Sequence, residues 1–147
     1  MMLCALIFAA QSEADTSLTA YGTYWDADHE GAGGGLRLKK TILAFGAADI
    51  RGGYVNFNDT NTEVIPLEAS INARLPFVIS PYVGVGAGYY LINSDIPAMD
   101  NAVGYFAQIG VEASILWFGA MAELRYLDLE EDYLDGTSLN FGLMLKW

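Results

Sequence analysis

Basic residues are scarce in this sequence, with 7 Lys and Arg against 18 Asp and Glu in 147 residues, a net charge of −11. Nucleic-acid phosphates repel such a chain, so we expect no nucleic-acid partner. The sequence also lacks the run of about 20 apolar residues that a transmembrane helix needs, since the best runs are 1–10 and 113–122. Yet 53% of its residues are hydrophobic and 13% aromatic, which excludes intrinsic disorder. The chain is therefore hydrophobic without a hydrophobic run.

Cysteine is nearly absent, because Cys4 is the single one. It lies in a short apolar stretch, residues 3–10, that is followed by small and polar residues up to Ala14. This pattern predicts that residues 1–14 are a secretory signal peptide with a truncated start; a frayed first strand is the alternative. The mature domain, 15–147, would then contain no cysteine, which excludes disulfides and thiol chemistry.

From Thr16 onward, apolar residues recur with a period of 2, and glycine or turn residues interrupt the pattern at intervals. Tight, acid-free connections at 39–41, 76–81 and 114–117 alternate with longer, acid-rich ones at 26–31, 58–63, 93–101 and 128–137. This organisation predicts an all-β fold, an eight-stranded antiparallel up-and-down transmembrane β-barrel. The eight predicted strands are 17–25, 32–39, 43–57, 65–75, 82–92, 102–113, 118–127 and 138–147.

One face of these strands is apolar and free of charge, whereas the other carries six bases and four acids. Opposite charges can neutralise one another in a narrow lumen, and the apolar face can then meet lipid. We therefore predict a buried charge network inside the barrel. A soluble lipocalin-like barrel, with its apolar face inside, is the alternative, and a narrow pore is a weaker one. The predicted network consists of Arg37, Asp49, Arg51, Glu68, Arg74, Glu112, Glu123 and Arg125, and the other two charges of this face are Lys39 and Lys146.

Aromatic residues cluster at both ends of the predicted strands, which is typical of the interfacial girdles of a membrane barrel. The cluster near the long loops contains Tyr24, Trp25, Tyr54, Phe57, Tyr89, Tyr90, Tyr105, Phe106 and Tyr126. The cluster near the tight turns contains Phe45, Phe77, Tyr82, Trp117, Phe118 and Trp147.

Three segments carry a family resemblance: PYVGVGAGYY at 81–90, AELRY at 122–126 and FGLMLKW at 141–147. Over residues 16–147 the chain resembles the OmpA/OmpX-type small outer-membrane β-barrels of Gram-negative bacteria. The resemblance implies a monomer in the bacterial outer membrane, in contact with membrane lipid and lipopolysaccharide. It also implies that the last strand carries the signal read by the barrel-assembly machinery, formed by Phe141, Leu143, Leu145 and Trp147.

His29 is the only histidine and lies in a predicted loop. It could serve as the base of a lipid-modifying outer-membrane enzyme, but such a site needs a serine and a carboxylate within hydrogen-bond reach. Among the other predicted long loops, only Ser94 and Ser138 supply a serine. We therefore expect an exposed loop histidine, no enzymatic activity and no cofactor.

Acidic residues crowd the predicted long loops, where no Lys or Arg occurs. Carboxylates can bind divalent cations, and Asp26, Asp28 and Glu30 are weak candidates for a metal site. Residues 128–135 lack EF-hand spacing, so we expect a solvated acidic rim instead. The predicted role is structural in the envelope, or surface contact through this rim. The loop acids are Asp26, Asp28, Glu30, Asp59, Glu63, Asp95, Asp100, Asp128, Glu130, Glu131, Asp132 and Asp135.

Overall fold

The computed structural model describes residues 16–94, 101–130 and 134–147. The predicted signal peptide and the loop acids Asp95, Asp100, Glu131 and Asp132 lie outside this part of the chain. One 3-10 helix, Asn58–Thr60, follows the third strand, and no described helix is long and apolar enough to cross a bilayer. The strands are β1 Thr16–Asp26, β2 Glu30–Leu43, β3 Gly46–Phe57, β4 Thr62–Arg74, β5 Ile79–Asn93, β6 Ala102–Ile115, β7 Phe118–Leu129 and β8 Gly136–Lys146.

Each strand pairs antiparallel with its neighbour in sequence, and β1 pairs with β8 to close the barrel. The predicted eight-stranded up-and-down barrel is confirmed. At the closure, the Thr16 amide donates to the Trp147 carbonyl at 3.1 Å, and the Trp147 amide donates to the Thr16 carbonyl at 3.0 Å. Closure leaves no sheet edge, so every strand has a hydrogen-bonded neighbour on both sides and its paired backbone groups need no water.

The two ends of the barrel differ. Tight turns at 44–45, 75–78 and 116–117 lie at the end that also carries Thr16 and Trp147, and we call this the turn end. The connections 27–29 and 58–61 lie at the opposite end, the loop end, together with the described residues between β5 and β6 (94 and 101) and between β7 and β8 (130, 134 and 135). The start of β1, the end of β8 and the short turns therefore share one end, as an up-and-down barrel with an even number of strands requires.

The predicted positions of two connections are wrong. The tight turn predicted at 39–41 lies inside β2, which continues to Leu43 before the turn at 44–45. The polar run there imitates a turn, but the alternation continues through it, with Lys39 buried and Lys40 exposed. Lys40 is therefore a charge on the outer face that the predicted charge-free band did not include. The first loop is also shorter than predicted, because β2 already begins at Glu30.

Alternation along each strand separates an apolar exterior from a polar interior. In β8, Leu139, Phe141 and Leu143 are exposed, whereas Asn140 and Met144 are buried. This orientation is the opposite of that in a soluble lipocalin-like barrel, which turns its apolar face inward.

Inward-facing glycines make room for large side chains in the lumen. A Cβ atom at Gly110 would lie 2.5 Å from the Tyr82 hydroxyl oxygen, and one at Gly86 would lie 2.3 Å from Cζ of Phe106. These distances are far below van der Waals contact, so the glycines are required by the rings that cross the lumen.

We predict that Gly110→Ala destabilises the barrel by about 1–3 kcal/mol, because the added methyl group must displace the Tyr82 ring or the backbone carbonyl of Ala122. The matched control is Gly52→Ala on the outer face, where the nearest described atom would be 3.5 Å from the new Cβ atom. Urea unfolding of the refolded protein in detergent measures both changes. Equal losses in the two variants would contradict a steric role for Gly110.

Candidate functional site

Of the fifteen residues in the two predicted aromatic girdles, ten lie on the outer face and five face the lumen. Several of their members are neighbours in sequence, such as Tyr89 and Tyr90, and neighbours on a strand point to opposite faces. Trp25, Phe57, Tyr90 and Phe106 therefore face the lumen at the loop end, and Tyr82 does so nearer the turn end. The outer face keeps Tyr24, Tyr54, Tyr89, Tyr105 and Tyr126 near the loops, and Phe45, Phe77, Trp117, Phe118 and Trp147 near the turns.

The inward aromatics form an apolar plug at the loop end of the lumen. Trp25 packs edge-on against Phe57 and Tyr90, with ring centroids 5.6 and 6.0 Å apart. Its indole N–H donates to the Leu134 carbonyl at 3.1 Å, which ties the last loop to the interior. The alternation pattern alone could have predicted this plug. Its members are Trp25, Val55, Phe57, Val64, Tyr90, Phe106, Leu127, Leu129 and Leu134.

On the side of the plug that faces the turn end, Glu68 and Arg125 form a buried ion pair. The Tyr90 hydroxyl donates to Glu68 Oε2 at 2.7 Å, and the Arg125 guanidinium carbon lies 4.0 Å from the centroid of the Phe106 ring. The pair is thus held by two members of the plug, so the apolar and charged layers pack as one unit.

The central charge network consists of Arg37, Asp49, Arg51 and Glu123. Nη2 of Arg37 lies 2.7 Å from Asp49 Oδ2, and Nη1 of Arg51 lies 2.7 Å from Glu123 Oε1. Two longer contacts link the pairs, Arg51 to Asp49 at 3.3 Å and Arg37 to Glu123 at 3.7 Å. Each cation therefore touches both acids, and all four side chains are almost fully buried.

Neutral side chains complete the coordination of the central acids. The Tyr82 hydroxyl and the Asn140 amide donate to Glu123 at 2.6 and 3.0 Å. The Asn72 amide donates to Asp49 at 2.8 Å. Such additional hydrogen bonds are what a buried ion pair needs to offset desolvation.

Arg74 lies apart from the network that the sequence predicts for it. Near the turn end, Glu112 contacts Lys39 and Arg37. In the described chain no carboxylate lies within 4.0 Å of Arg74 or Lys146, which donate to the hydroxyls of Thr41 and Ser114, each at 3.0 Å. The period-2 pattern places Lys39 and Lys146 on the inward face, but the predicted network does not include them. This pattern was the signal that could have added them.

Side chains fill the lumen. The small cavity near the turn end leaves no volume for a water-sized sphere between the described side chains that bound it. This packing, together with the apolar plug, opposes the narrow-pore interpretation. The cavity is bounded by Arg37, Lys39, Ala47, Asn72, Arg74, Tyr82 and Glu112.

His29 is exposed in the first loop. Ser94 shares a hydrogen bond of 2.8 Å with Thr62, and Ser138 is buried inside β8 rather than in a loop, contrary to expectation. Asp26 and Glu30 are exposed partners on adjacent strands, and Asp28 is exposed between them. Within residues 16–94, 101–130 and 134–147, no group of three or more His, Cys, Asp or Glu is placed to hold a metal ion.

Some rim acids have structural partners in the loops. Asp135 accepts a hydrogen bond from the Leu129 amide at 2.6 Å. Glu63 accepts one from the Tyr54 hydroxyl at 2.7 Å. These two carboxylates therefore help to order the loop end besides adding to its negative charge.

We predict that Glu123→Gln destabilises the barrel by about 3–5 kcal/mol, because Arg51 and Arg37 then remain buried with one shared acid. The double variant Glu123→Gln/Arg51→Gln should recover part of this loss, since it removes a charge of each sign. Urea unfolding in detergent measures the coupling between the two sites. Additive effects would show that the two side chains do not stabilise each other.

No protein-family model matches the chain, and no curated protein matches it. Its structure is similar to the crystal structure of Neisserial surface protein A, with a TM-score of 0.72 and 13% identity, covering 90% of this chain and 96% of that one. It is also similar to the N-terminal β-barrel domain of Pseudomonas aeruginosa OprF, with a TM-score of 0.68 and 16% identity, covering 91% and 98%. The chain has the fold of these small eight-stranded outer-membrane β-barrels.

Proposed function

We propose that this protein is a non-enzymatic, integral β-barrel of the bacterial outer membrane that presents an acidic rim at the cell surface. The observation that carries the proposal is the exposed apolar exterior. Ile71, Val85, Ile109 and Leu143 are each more than half exposed although they are aliphatic. A continuous apolar exterior of this kind needs a cover, and lipid covers it on every side of a closed barrel.

The dimensions and the polar ends support the same location. The strands have 11–15 residues, more than the about 9–11 that a tilted strand needs to cross a bilayer. Outward tyrosines lie near the loops and outward Phe and Trp near the turns, where interfacial aromatics belong. Lys40 can lay its stem along the apolar surface and extend its ammonium group to the headgroups at the turn end.

In this orientation the turn end faces the periplasm and the loop end faces the outside, as in other outer-membrane barrels. The side chains of Phe141, Leu143 and Leu145 then point into lipid from β8, and Trp147 follows at the turn end. This placement supports the proposal that these four residues are the signal for the barrel-assembly machinery.

A structural role suits the interior better than catalysis does. Eight of the ten inward charges contact an opposite charge in the lumen, and His29 is exposed in a short loop apart from them. The acidic rim gives the outer end a negative surface, whose expected counterparts are divalent cations and, through them, lipopolysaccharide. We expect a monomer, because lipid alone can cover the exterior.

We predict that brominated phospholipids quench Trp117 and Trp147 but largely spare Trp25. The first two side chains are 65% and 62% exposed on the exterior, and Trp25 is 3% exposed inside the plug. Emission spectra of reconstituted Trp25→Phe and of Trp117→Phe/Trp147→Phe separate the two contributions. A protein that stays soluble without detergent, or one in which Trp25 is quenched most, would contradict a lipid-facing exterior.

We predict that Asp28→Asn/Asp59→Asn/Asp128→Asn leaves barrel assembly intact, because these acids are exposed and lie outside the lumen. Heat-modifiable migration on gels checks assembly. The detergent sensitivity of cells that lack the wild-type gene is then measured with the wild-type protein or the variant supplied. This measurement distinguishes a structural role in the envelope from surface contact through the acidic rim. Full protection by the variant favours a structural role of the barrel body, and lost protection favours contact through the acidic rim.

A further inference from the structure

The lumen contains two more bases than acids on its described inward face, and the excess lies at the turn end. Lys39 and Arg74 border one cavity with the acid Glu112, which also contacts Arg37, and Lys146 donates to Ser114, two positions after Glu112 on β6. We call this group of three cations the cationic mouth. Like charges so close in a partly desolvated site repel one another unless an anion joins them.

Arg74 is the strongest sign that a partner is missing from this group. The residue is only 9% exposed, and its Nε atom is buried with no hydrogen-bond partner among the described residues. Its Nη1 donates to the neutral hydroxyl of Thr41. A buried guanidinium without a carboxylate is costly, because its charge and its N–H donors both lose water.

Ser17 supplies a second buried polar atom without a partner at the same place. Ser17 is 2% exposed, and its Oγ atom has no hydrogen bond within the part of the chain that the structure describes. Ser17 pairs in register with Lys39 on one side and with Lys146 on the other. Ser17 therefore lies between the strand positions of two of the three cations, and an oxyanion held by them could accept the hydrogen bond of its hydroxyl.

We propose that the cationic mouth binds a small oxyanion of the phosphate class, held by Arg74, Lys39, Lys146 and the Ser17 hydroxyl. A guanidinium presents a planar fork to two oxygens, and the ammonium groups add charge-assisted hydrogen bonds. The cavity that Arg74 and Lys39 help to enclose has no room for a water-sized sphere, so the anion binds on the solvent side of these side chains and does not enter the lumen. The ligand is either free phosphate or the phosphate of a phospholipid headgroup.

The test measures binding of inorganic phosphate to the refolded barrel in a phosphate-free detergent at constant ionic strength. Phosphate line width in ³¹P NMR and the urea midpoint report the binding, and we expect a dissociation constant on the order of 1 mM. Arg74→Gln and Lys146→Gln should each weaken it about tenfold or more. Lys40→Gln is the matched control, because it removes the same charge from the same end but on the outer face.

Stability without phosphate gives an independent readout. Arg74→Gln relieves repulsion and leaves no acid unpaired, so the variant should be at least as stable as the wild type in phosphate-free buffer and less stable in phosphate. Three results would overturn the proposal: no effect of phosphate on the wild type, an equal loss of binding in Lys40→Gln, or a large loss of stability in Arg74→Gln without phosphate.

Reconstitution identifies the source of the anion. If the headgroup is the ligand, nanodiscs of phosphatidylglycerol should abolish the binding of added phosphate. If free phosphate is the ligand, its binding should be the same in these nanodiscs as in detergent. Binding in detergent does not depend on the proposed cellular location, so this site and that location fail or succeed separately.

Discussion

Closure of the sheet between β1 and β8 is the constraint on which the rest of the structure depends. Closure removes every edge, and with eight strands it also fixes a lumen only about as wide as its side chains. Each inward position must therefore be filled by one large group or yield its space to a neighbour. Gly110 beside Tyr82 and Gly86 beside Phe106 are the visible result. The exterior has no such restriction, and most of its large side chains are aliphatic or aromatic.

The lumen is layered along its axis. The apolar plug lies at the loop end, ion pairs follow in the middle, and the cationic mouth lies at the turn end. Each layer restrains the next, because Tyr90 belongs to the plug and also binds Glu68, while Arg37 belongs to the central network and also contacts Glu112. The interior thus changes from apolar at the loop end to positively charged at the turn end over one strand length, so the two ends of the lumen differ in chemistry.

The period-2 pattern was sufficient to predict the strands, their faces and the inward charges, because alternation is a local property of a strand. It failed where local signals conflict: the Lys39, Lys40 and Thr41 run resembles a turn but continues β2. The girdles were overestimated because composition was counted without assigning neighbours such as Tyr89 and Tyr90 to opposite faces. The isolation of Arg74 could not be predicted, since contacts across the lumen depend on strand tilt and register, which no single strand encodes.

The central charge network constrains the order in which the barrel can assemble. Arg51 pairs with Glu123, which is 72 positions away in the sequence, and Lys39 pairs with Glu112, which is 73 positions away. A hairpin of β2 and β3 alone carries Arg37, Lys39 and Arg51 inward against Asp49, so it would bring unmatched cations into lipid. These strands must keep their inner face in water, or against another protein, until β6 and β7 arrive. Insertion is therefore a late, collective step that requires Glu112 on β6 and Glu123 on β7 to neutralise these cations first.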